Sequence, residues 1–455
     1  MTSKTRVLFV CSEPVGGRMA GNAIRSLELA RAVAEHCDVT LAAPAPSDVG
    51  DAPIALLEAG LADFDRLLDA ARTHHVLVCE RLPAQLLRYV MKLPIRYVAD
   101  LYNPYFVEVL EAVRDEPRRA ARLTHAHAVA ETVANCAAAD FMMCASEKQR
   151  DLWLGLLASH ALIDLDAYAG DRALRSVLDV VPFGLPESSP PPGRPMLKGV
   201  APGVAAEDRV LVWGGGIWNW LDAITVIKAV ERLGDLTPAV HLHFPGIVRP
   251  SHDGGHKEMA ATREAVEFAR SRGLEGRRVH LSRDWVPYER RQDYLLEADL
   301  GVSAHVDHLE ARFSSRTRVL DYLWSGLPVV ATRGDALADL VESHGLGRTV
   351  AAGDDAGFAA ACRDLLESDR LRESARREIR GISPSLKWSA AVEPLVRYCT
   401  NWERLPVRRK RKAVVARATL GHYPVMLGRE YDARGAAGLT RKLGRNVWRV
   451  LAKRA

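Results

Sequence analysis

Short apolar runs rich in β-branched residues recur along this chain, separated by stretches whose apolar positions repeat at helical spacing. In the first half the runs fall at 6–11, 38–43, 75–80, 95–99, 140–144 and 177–182. Uninterrupted apolar runs of roughly four to eight residues bounded by polar turns mark strands buried on both faces, as in a parallel sheet. Between the first two, Ile24, Leu27 and Arg31 keep helical spacing and predict a helix over 23–35. Ser146 and Gln149 form a capping box that opens another helix directly after the 140–144 strand. Strands alternating with helices predict a parallel sheet covered by helices on both faces.

The alternation stops at Pro186-Glu187-Ser188-Ser189-Pro190-Pro191-Pro192-Gly193, which can continue neither a helix nor a central strand. It then restarts, with strands at 209–213, 239–244, 278–281, 300–304 and 328–331 and helices near 221–232, 257–272, 288–297, 317–324 and 335–343. The expected fold class is α/β, two Rossmann-like domains facing across a cleft, with a basic helical tail. The boundaries read as a first domain over 1–185, a Pro-rich linker over 186–207, a second domain over 208–387, a crossing helix over 388–404 and a tail over 405–455. Ligands of open α/β sheets bind beyond the carboxyl ends of the strands, which here means in the cleft.

With 455 residues, 48% apolar and 26% charged, the chain has material for two full cores and no disordered or collagen-like bias. The opening apolar run is too short for a signal-peptide core and reads as a first strand, and nowhere does an apolar stretch approach the ~20 residues that span a bilayer. Seven cysteines without a C-x-x-C pair suit reduced thiols and a cytoplasmic setting. The total charge of +5 hides an asymmetry: from Arg408 onward fourteen Lys or Arg face only Glu430 and Asp432, a net of +12 that leaves −7 for the body. In the tail Leu439, Leu443, Val447 and Leu451 recur every four residues among basic ones, the pattern of a basic amphipathic helix. The segment 408–455 is therefore a candidate contact for an anionic membrane surface, making the protein peripheral on the inner face of the cell membrane. No aromatic interleaving or recognition motif points to nucleic acid.

Candidate chemistry gathers at the strand ends. Gly16 and Gly17 follow the first strand, and Gly214, Gly215 and Gly216 follow the 209–213 strand, each before a helix. Glycine lets backbone N–H groups approach phosphate oxygens, so a glycine loop at the lip of each half suits a bridging diphosphate. A polar loop then runs from His305 to Ser315 and leads into Arg316-Thr317-Arg318-Val319-Leu320-Asp321-Tyr322-Leu323-Trp324-Ser325-Gly326-Leu327-Pro328. Arginines in a first helical turn oppose the macrodipole unless an anion sits there, and a guanidinium fork matches two phosphate oxygens. Asp321 is placed to accept from a ribose diol, or alternatively to pair with Arg318 within the helix.

The segment from Leu320 to Val330 resembles the signature of glycosyltransferase family four, retaining enzymes of the two-Rossmann GT-B fold. The resemblance extends over most of residues 1–400 and leaves out the basic tail. It implies a glycosyltransferase of hexosyl type, moving a sugar from a nucleotide-sugar donor to a glycan, lipid-linked saccharide or small acceptor in envelope or glycoconjugate synthesis. It also implies front-face displacement with retention, no resident cofactor and no metal. Asp321 matches the second carboxylate of the family's Glu-x7-Glu motif, which grips the ribose. Phe313 stands where the first carboxylate belongs, so the donor-sugar role is carried to the nearest upstream acid, Glu310. The family's Arg and Lys after the second glycine loop are replaced by Ile217-Trp218-Asn219-Trp220, and Arg316 and Arg318 take over the phosphate grip. Trp285 corresponds to the loop that cradles the base. Asp100, after the 95–99 strand and pointing into the cleft, occupies the place of a family histidine as base or acceptor ligand. The paired aspartates 63/65 and 164/166 stand at no clear strand end, and the histidine pairs 125/127 and 252/256 lack a third ligand at metal spacing. Two other readings remain: an epimerase or pseudo-transferase on the same fold, and a non-catalytic nucleotide-sugar-binding partner.

Overall fold

A computed structural model of the chain describes residues 4–248 and 258–420. The first sheet has seven strands: β1 (Arg6–Val10), β2 (Asp38–Ala43), β3 (Ile54–Glu58), β4 (Val76–Cys79), β5 (Arg96–Asp100), β6 (Phe141–Cys144) and β7 (Leu178–Val180), in the order β3-β2-β1-β4-β5-β6-β7. The second has six: β8 (Arg209–Val212), β9 (Val240–Phe244), β10 (Val279–Leu281), β11 (Leu300–Ser303), β12 (Val329–Thr332) and β13 (Gly347–Val350), in the order β10-β9-β8-β11-β12-β13. Every pairing is parallel. Strand order reverses beside β1 in one sheet and beside β8 in the other, so both switch points open toward the cleft.

The central strands are fully buried, as their uninterrupted apolar runs require. Helices cover both faces of each sheet, and the four main clusters of buried side chains lie two to a domain, one on each face. Strands β3 and β13 were not expected. Both are edge strands: Gly-Arg-Thr-Val carries no apolar run, and in Ile-Ala-Leu-Leu-Glu only the first residue is buried. The helix expected over 288–297 is instead a 3-10 turn, Tyr288–Arg290, followed by the single turn Gln292–Leu295. The Ser146 cap forms as expected, its hydroxyl accepting from Gln149 N at 3.2 Å.

After the second domain the chain recrosses to the first. The terminal helix breaks at Val392 into Trp388–Ala391 and Glu393–Asn401, because Pro394 has no N–H to carry the ladder on. Trp388, Leu395, Tyr398 and Cys399 are buried in the core of the first domain. Tyr398 stacks on Phe141 of β6 at 4.8 Å, and Trp402 on His75 at 5.1 Å.

The basic run that follows is not the free cationic patch expected of it. Arg408 donates to the carbonyls of Cys136, Ala139 and Leu162, Arg411 N donates to Ala137 O, and Lys410 pairs with Asp140 at 3.2 Å. These carbonyls include the unsatisfied last turn of the helix Arg118–Ala138, whose negative end attracts cations. A helical stretch at 412–420 then buries Val415, Ala418 and Thr419 against the same domain. Three of the five basic residues in 408–412 thus serve the protein itself, while Arg409 and Lys412 stay exposed. The amphipathic repeat from Leu439 to Leu451 lies outside the described residues, as do His252 and His256. Among the described residues no helix is long and apolar enough to cross a membrane. All seven cysteines are buried and unpaired.

Candidate functional site

A cavity of about 330 Å³ lies between the carboxyl ends of the two sheets, lined by residues of both domains. On the second domain's side the floor is the loop Gly214–Gly216 after β8. Gly215 takes a φ of +76°, a region open to glycine at little cost. The loop is held from below by Tyr322, whose hydroxyl accepts from Gly214 N at 2.8 Å and donates to Val302 O at 2.9 Å. Its ring lies flat on Gly301 of β11, where any Cβ would fall 2.2 Å from the ring. Trp285, after β10, packs against Gly246 and forms part of the wall.

The loop after β11 brings in Glu310, Arg316, Arg318 and Asp321, all of which line the cavity. Arg316 and Glu310 form a two-bond fork at 3.0 and 2.6 Å, with their side chains 6% and 2% exposed. Both oxygens of Glu310, expected to act on a donor sugar, accept from Arg316, so the carboxylate holds that guanidinium in place. Arg316 Nε remains buried without a partner. Arg318 lies over the Trp213 ring at 4.4 Å and donates one Nη2 bond to Gly216 O at 3.1 Å, while its Nη1 is buried and unpartnered. It forms no ion pair among the described residues, and burial holds it down at about 10. The intrahelical Arg318–Asp321 pair is not made. Asp321 Oδ1 instead accepts from Arg291 Nε at 2.8 Å, and Arg291 is sandwiched between the rings of Tyr288 and Trp324 at 3.8 and 4.2 Å. Burial raises the Asp321 carboxyl and Arg291 works against that rise.

The first domain departs from expectation in two places. Gly16 and Gly17 do not line the cavity. Gly16 packs on Asp48, and Gly17 O accepts from Tyr288 N at 2.8 Å, so this loop joins the domains, and Gly21 and Asn22 at the start of the helix Gly21–Ala34 face the cavity in its place. Asp100 also lies off the cavity wall. Its two oxygens accept from Arg25 Nε and Nη2 at 2.6 and 2.9 Å in a buried fork, with Arg25 also donating to Val181 O and Pro182 O. Its carboxylate thus sits in a buried ion pair and not on the cavity wall where it was expected. Gln149 crosses between the domains, donating to Tyr102 O at 2.8 Å and Phe313 O at 2.7 Å.

Sequence reading missed Arg291, Glu108, Asn22, Asn103, Tyr102 and Trp218, all of which line the cavity. Arg291 sits where a regular helix was expected, and Glu108 on a helix that carries no motif. Among the described residues, no group of three metal-ligating side chains converges on one point.

Comparison with known proteins bears on this arrangement. Residues 208–368 match the model of the family described as glycosyl transferases group 1. No curated protein matches the chain. Solved structures similar to it include the sucrose-phosphate synthase of Thermosynechococcus elongatus, at 14% identity and a TM-score of 0.57 over 89% of this chain and 100% of that one. Anabaena HepE in complex with UDP and glucose gives 13% identity and a TM-score of 0.57 over 86% and 98%. Trehalose-6-phosphate synthase OtsA gives 12% and 0.63 over 87% and 99%. At such identities the likeness establishes the fold, and that fold is GT-B, two parallel-sheet domains facing across a cleft, with the glycosyl transferases group 1 match lying in the second domain.

Proposed function

We propose that the chain is a glycosyltransferase that binds a nucleotide sugar in this cleft and passes the sugar to a hydroxyl of a glycan, lipid-linked saccharide or small acceptor, with retention. The observation that carries the reading is the pair Arg316 and Arg318, two arginines that each keep a buried N–H without a partner beside a glycine loop. A buried N–H without an acceptor costs roughly 1–3 kcal/mol, so such groups persist where a ligand supplies the missing partner. A diphosphate is the ligand whose charge and oxygen geometry fit. Trp285 then flanks the base, and Asp321 offers its free Oδ2 to the ribose while Arg291 fixes Oδ1. As the sugar–oxygen bond breaks, negative charge grows on the leaving diphosphate, and preorganised donors in a dry cleft stabilise that charge more than the ground state. In this reading the arginines and backbone N–H groups hold that charge rather than a metal. Support comes from the family match over the second domain and from relatives of the same fold whose structures hold UDP and glucose.

The test is thermal unfolding with UDP-, GDP-, TDP- and ADP-hexoses, on the wild type and on Arg318→Ala and Asp321→Ala. A ligand at about 100 times its Kd adds roughly 2.7 kcal/mol to the stability. One nucleotide class is expected to stabilise the wild type and to lose most of its effect in both variants. Absence of a shift with every nucleotide sugar overturns the assignment.

A further inference from the structure

The wall of the cavity opposite the arginines has a different chemistry. Among the described residues, the first domain contributes no lysine or arginine to it, and its polar groups are Asn22, Tyr102, Asn103 and Glu108. The two amides are ordered by each other: Asn103 Nδ2 donates to Asn22 Oδ1 at 2.8 Å, and Asn22 Nδ2 donates to Glu80 Oε2 at 3.0 Å. The two nearby cations of this domain, Arg25 and Arg81, lie off the cavity wall, and Arg81 keeps its Nη1 buried without a hydrogen-bond partner. Arg25 is forked onto Asp100, and Arg81 lies against the Tyr105 ring at 3.6 Å with Glu131 as its carboxylate neighbour.

Glu108 stands apart in this ordered wall. It belongs to the helix Tyr105–Ala112, is half-buried, and makes no hydrogen bond or ion pair with any described residue. The charged groups that act on it are Glu310 and Arg316 from the second domain and Glu80 and Arg81 from its own. Burial first, and the charge of Glu310 next, push its carboxyl up to about 8. At neutral pH it is therefore an uncharged acid, able to donate one hydrogen bond and accept others. An unpaired carboxyl placed beside a second acid works against folding, and no hydrogen-bond or ion-pair partner among the described residues offsets that cost.

Resting on the sugar-transfer reading of the cleft, we propose that Glu108 anchors the acceptor, and that the acceptor end bound here is neutral and rich in hydroxyls rather than phosphorylated or carboxylated. A protonated carboxyl offers adjacent donor and acceptor atoms, the complement of a vicinal diol. The linked amides extend the same kind of surface, and Tyr102 and Ile24 give it an apolar floor for a sugar ring. An anionic acceptor would meet one acid, Glu108, and among the described residues no cation on this wall. Among the described residues the cavity's cations lie across the cleft: Arg316 and Arg318, which face the donor diphosphate, and Arg291, which holds Asp321. One cavity thus has a cationic half for the donor and a neutral half for the acceptor.

The experiment uses the full chain, the nucleotide hexose that stabilises it, and two acceptor sets: the methyl glycosides of glucose, galactose and mannose, and the 6-phosphates of the same sugars. Transfer to at least one methyl glycoside is expected, with kcat/KM for the matching 6-phosphate lower by about a hundredfold, a difference of about 2.7 kcal/mol. Glu108→Ala is expected to raise the KM for the neutral acceptor about tenfold, as the loss of one or two hydrogen bonds does, while the donor's thermal shift is retained. Glu108→Gln keeps a donor and an acceptor atom and is expected to stay within about threefold of wild type at pH 7. The wild-type KM for acceptor should rise as pH passes about 8, when the carboxyl loses its proton, and the Gln variant should show no such rise. Preference for the 6-phosphates, transfer to none of the neutral sugars, or an unchanged acceptor KM in Glu108→Ala would each overturn the proposal while leaving donor binding intact. Failure of every nucleotide sugar to bind removes the sugar-transfer reading and this proposal with it.

Discussion

Whether an ionisable side chain acts in chemistry or in structure is settled by its partner, and Asp100 and Arg318 show the two outcomes. Asp100 ends strand β5 and was expected to point into the cleft, yet Arg25, 75 residues earlier, takes both its oxygens. Removing one member of a buried pair strands the other, so Asp100→Ala is expected to lower stability by about 3 kcal/mol. A urea denaturation midpoint measures this; a base in the cleft would instead lower turnover and leave the midpoint unmoved. Arg318 is the opposite case, a buried cation with no carboxylate on it among the described residues. Its place on the cavity wall was legible from residue type and position, as were those of Asp321, Trp285 and the second glycine loop. Glu108 was not legible, because its acidity is set first by burial in the cleft and then by Glu310, which lies 202 positions away and meets it only once the domains face each other. Arg291 was hidden for a related reason: its stacking on Tyr288 and Trp324 depends on a turn that replaces the expected helix.

Among elements, legibility followed burial. Strands β1, β4, β6, β8, β11 and β12 read clearly because both faces are covered and their sequences are continuously apolar. Strands β3 and β13, edge strands with much of their surface exposed, escaped notice, although the edge strands β7 and β10 were expected. The pair β9–β10 carries a further feature, three histidines on one face. His241 Nδ1 lies 3.1 Å from His280 Nε2, and both ring nitrogens of His243 are buried without a partner. Burial holds His243 down at about 4 and lowers His241 and His280 as well. A folded-state value below the unfolded one means that the unfolded chain binds more protons between about pH 4 and 6.5. The stability is therefore complete above pH 6.5 and is lost as pH falls toward 4. His243→Leu removes one titrating ring and is expected to recover on the order of 1 kcal/mol at pH 5 while changing little at pH 7. Comparing urea midpoints at the two pH values checks this, and an equal change at both would contradict the assignment.

For the molecule as a whole, the two-domain division follows from the Pro-rich break at 186–193, but the route of the chain does not. The crossing helix follows the second domain in sequence and belongs to the first in space, through Trp388, Leu395, Tyr398 and Cys399. Burying four such side chains contributes roughly 6–12 kcal/mol, comparable to the net stability of a whole domain. A chain ended at Lys387 is therefore expected to lose hydrogen-exchange protection across the first domain while keeping it in β8–β12. Equal protection in both domains would show that the crossing segment is dispensable. The basic run beyond it, which composition pointed toward a membrane, is spent in part on the carbonyls that close the helix Arg118–Ala138.

That returning segment also sets the order in which the protein is completed as it is made. Residues up to 185 leave the ribosome first, but the side chains that close their core are translated about 200 positions later. At roughly 5–20 residues per second the interval is on the order of ten to forty seconds, during which a freshly made sheet carries an uncovered apolar face. The second domain, continuous in sequence, has no such wait. The half synthesised first is thus finished last, and the chain ended at Lys387 is a frozen image of that interval.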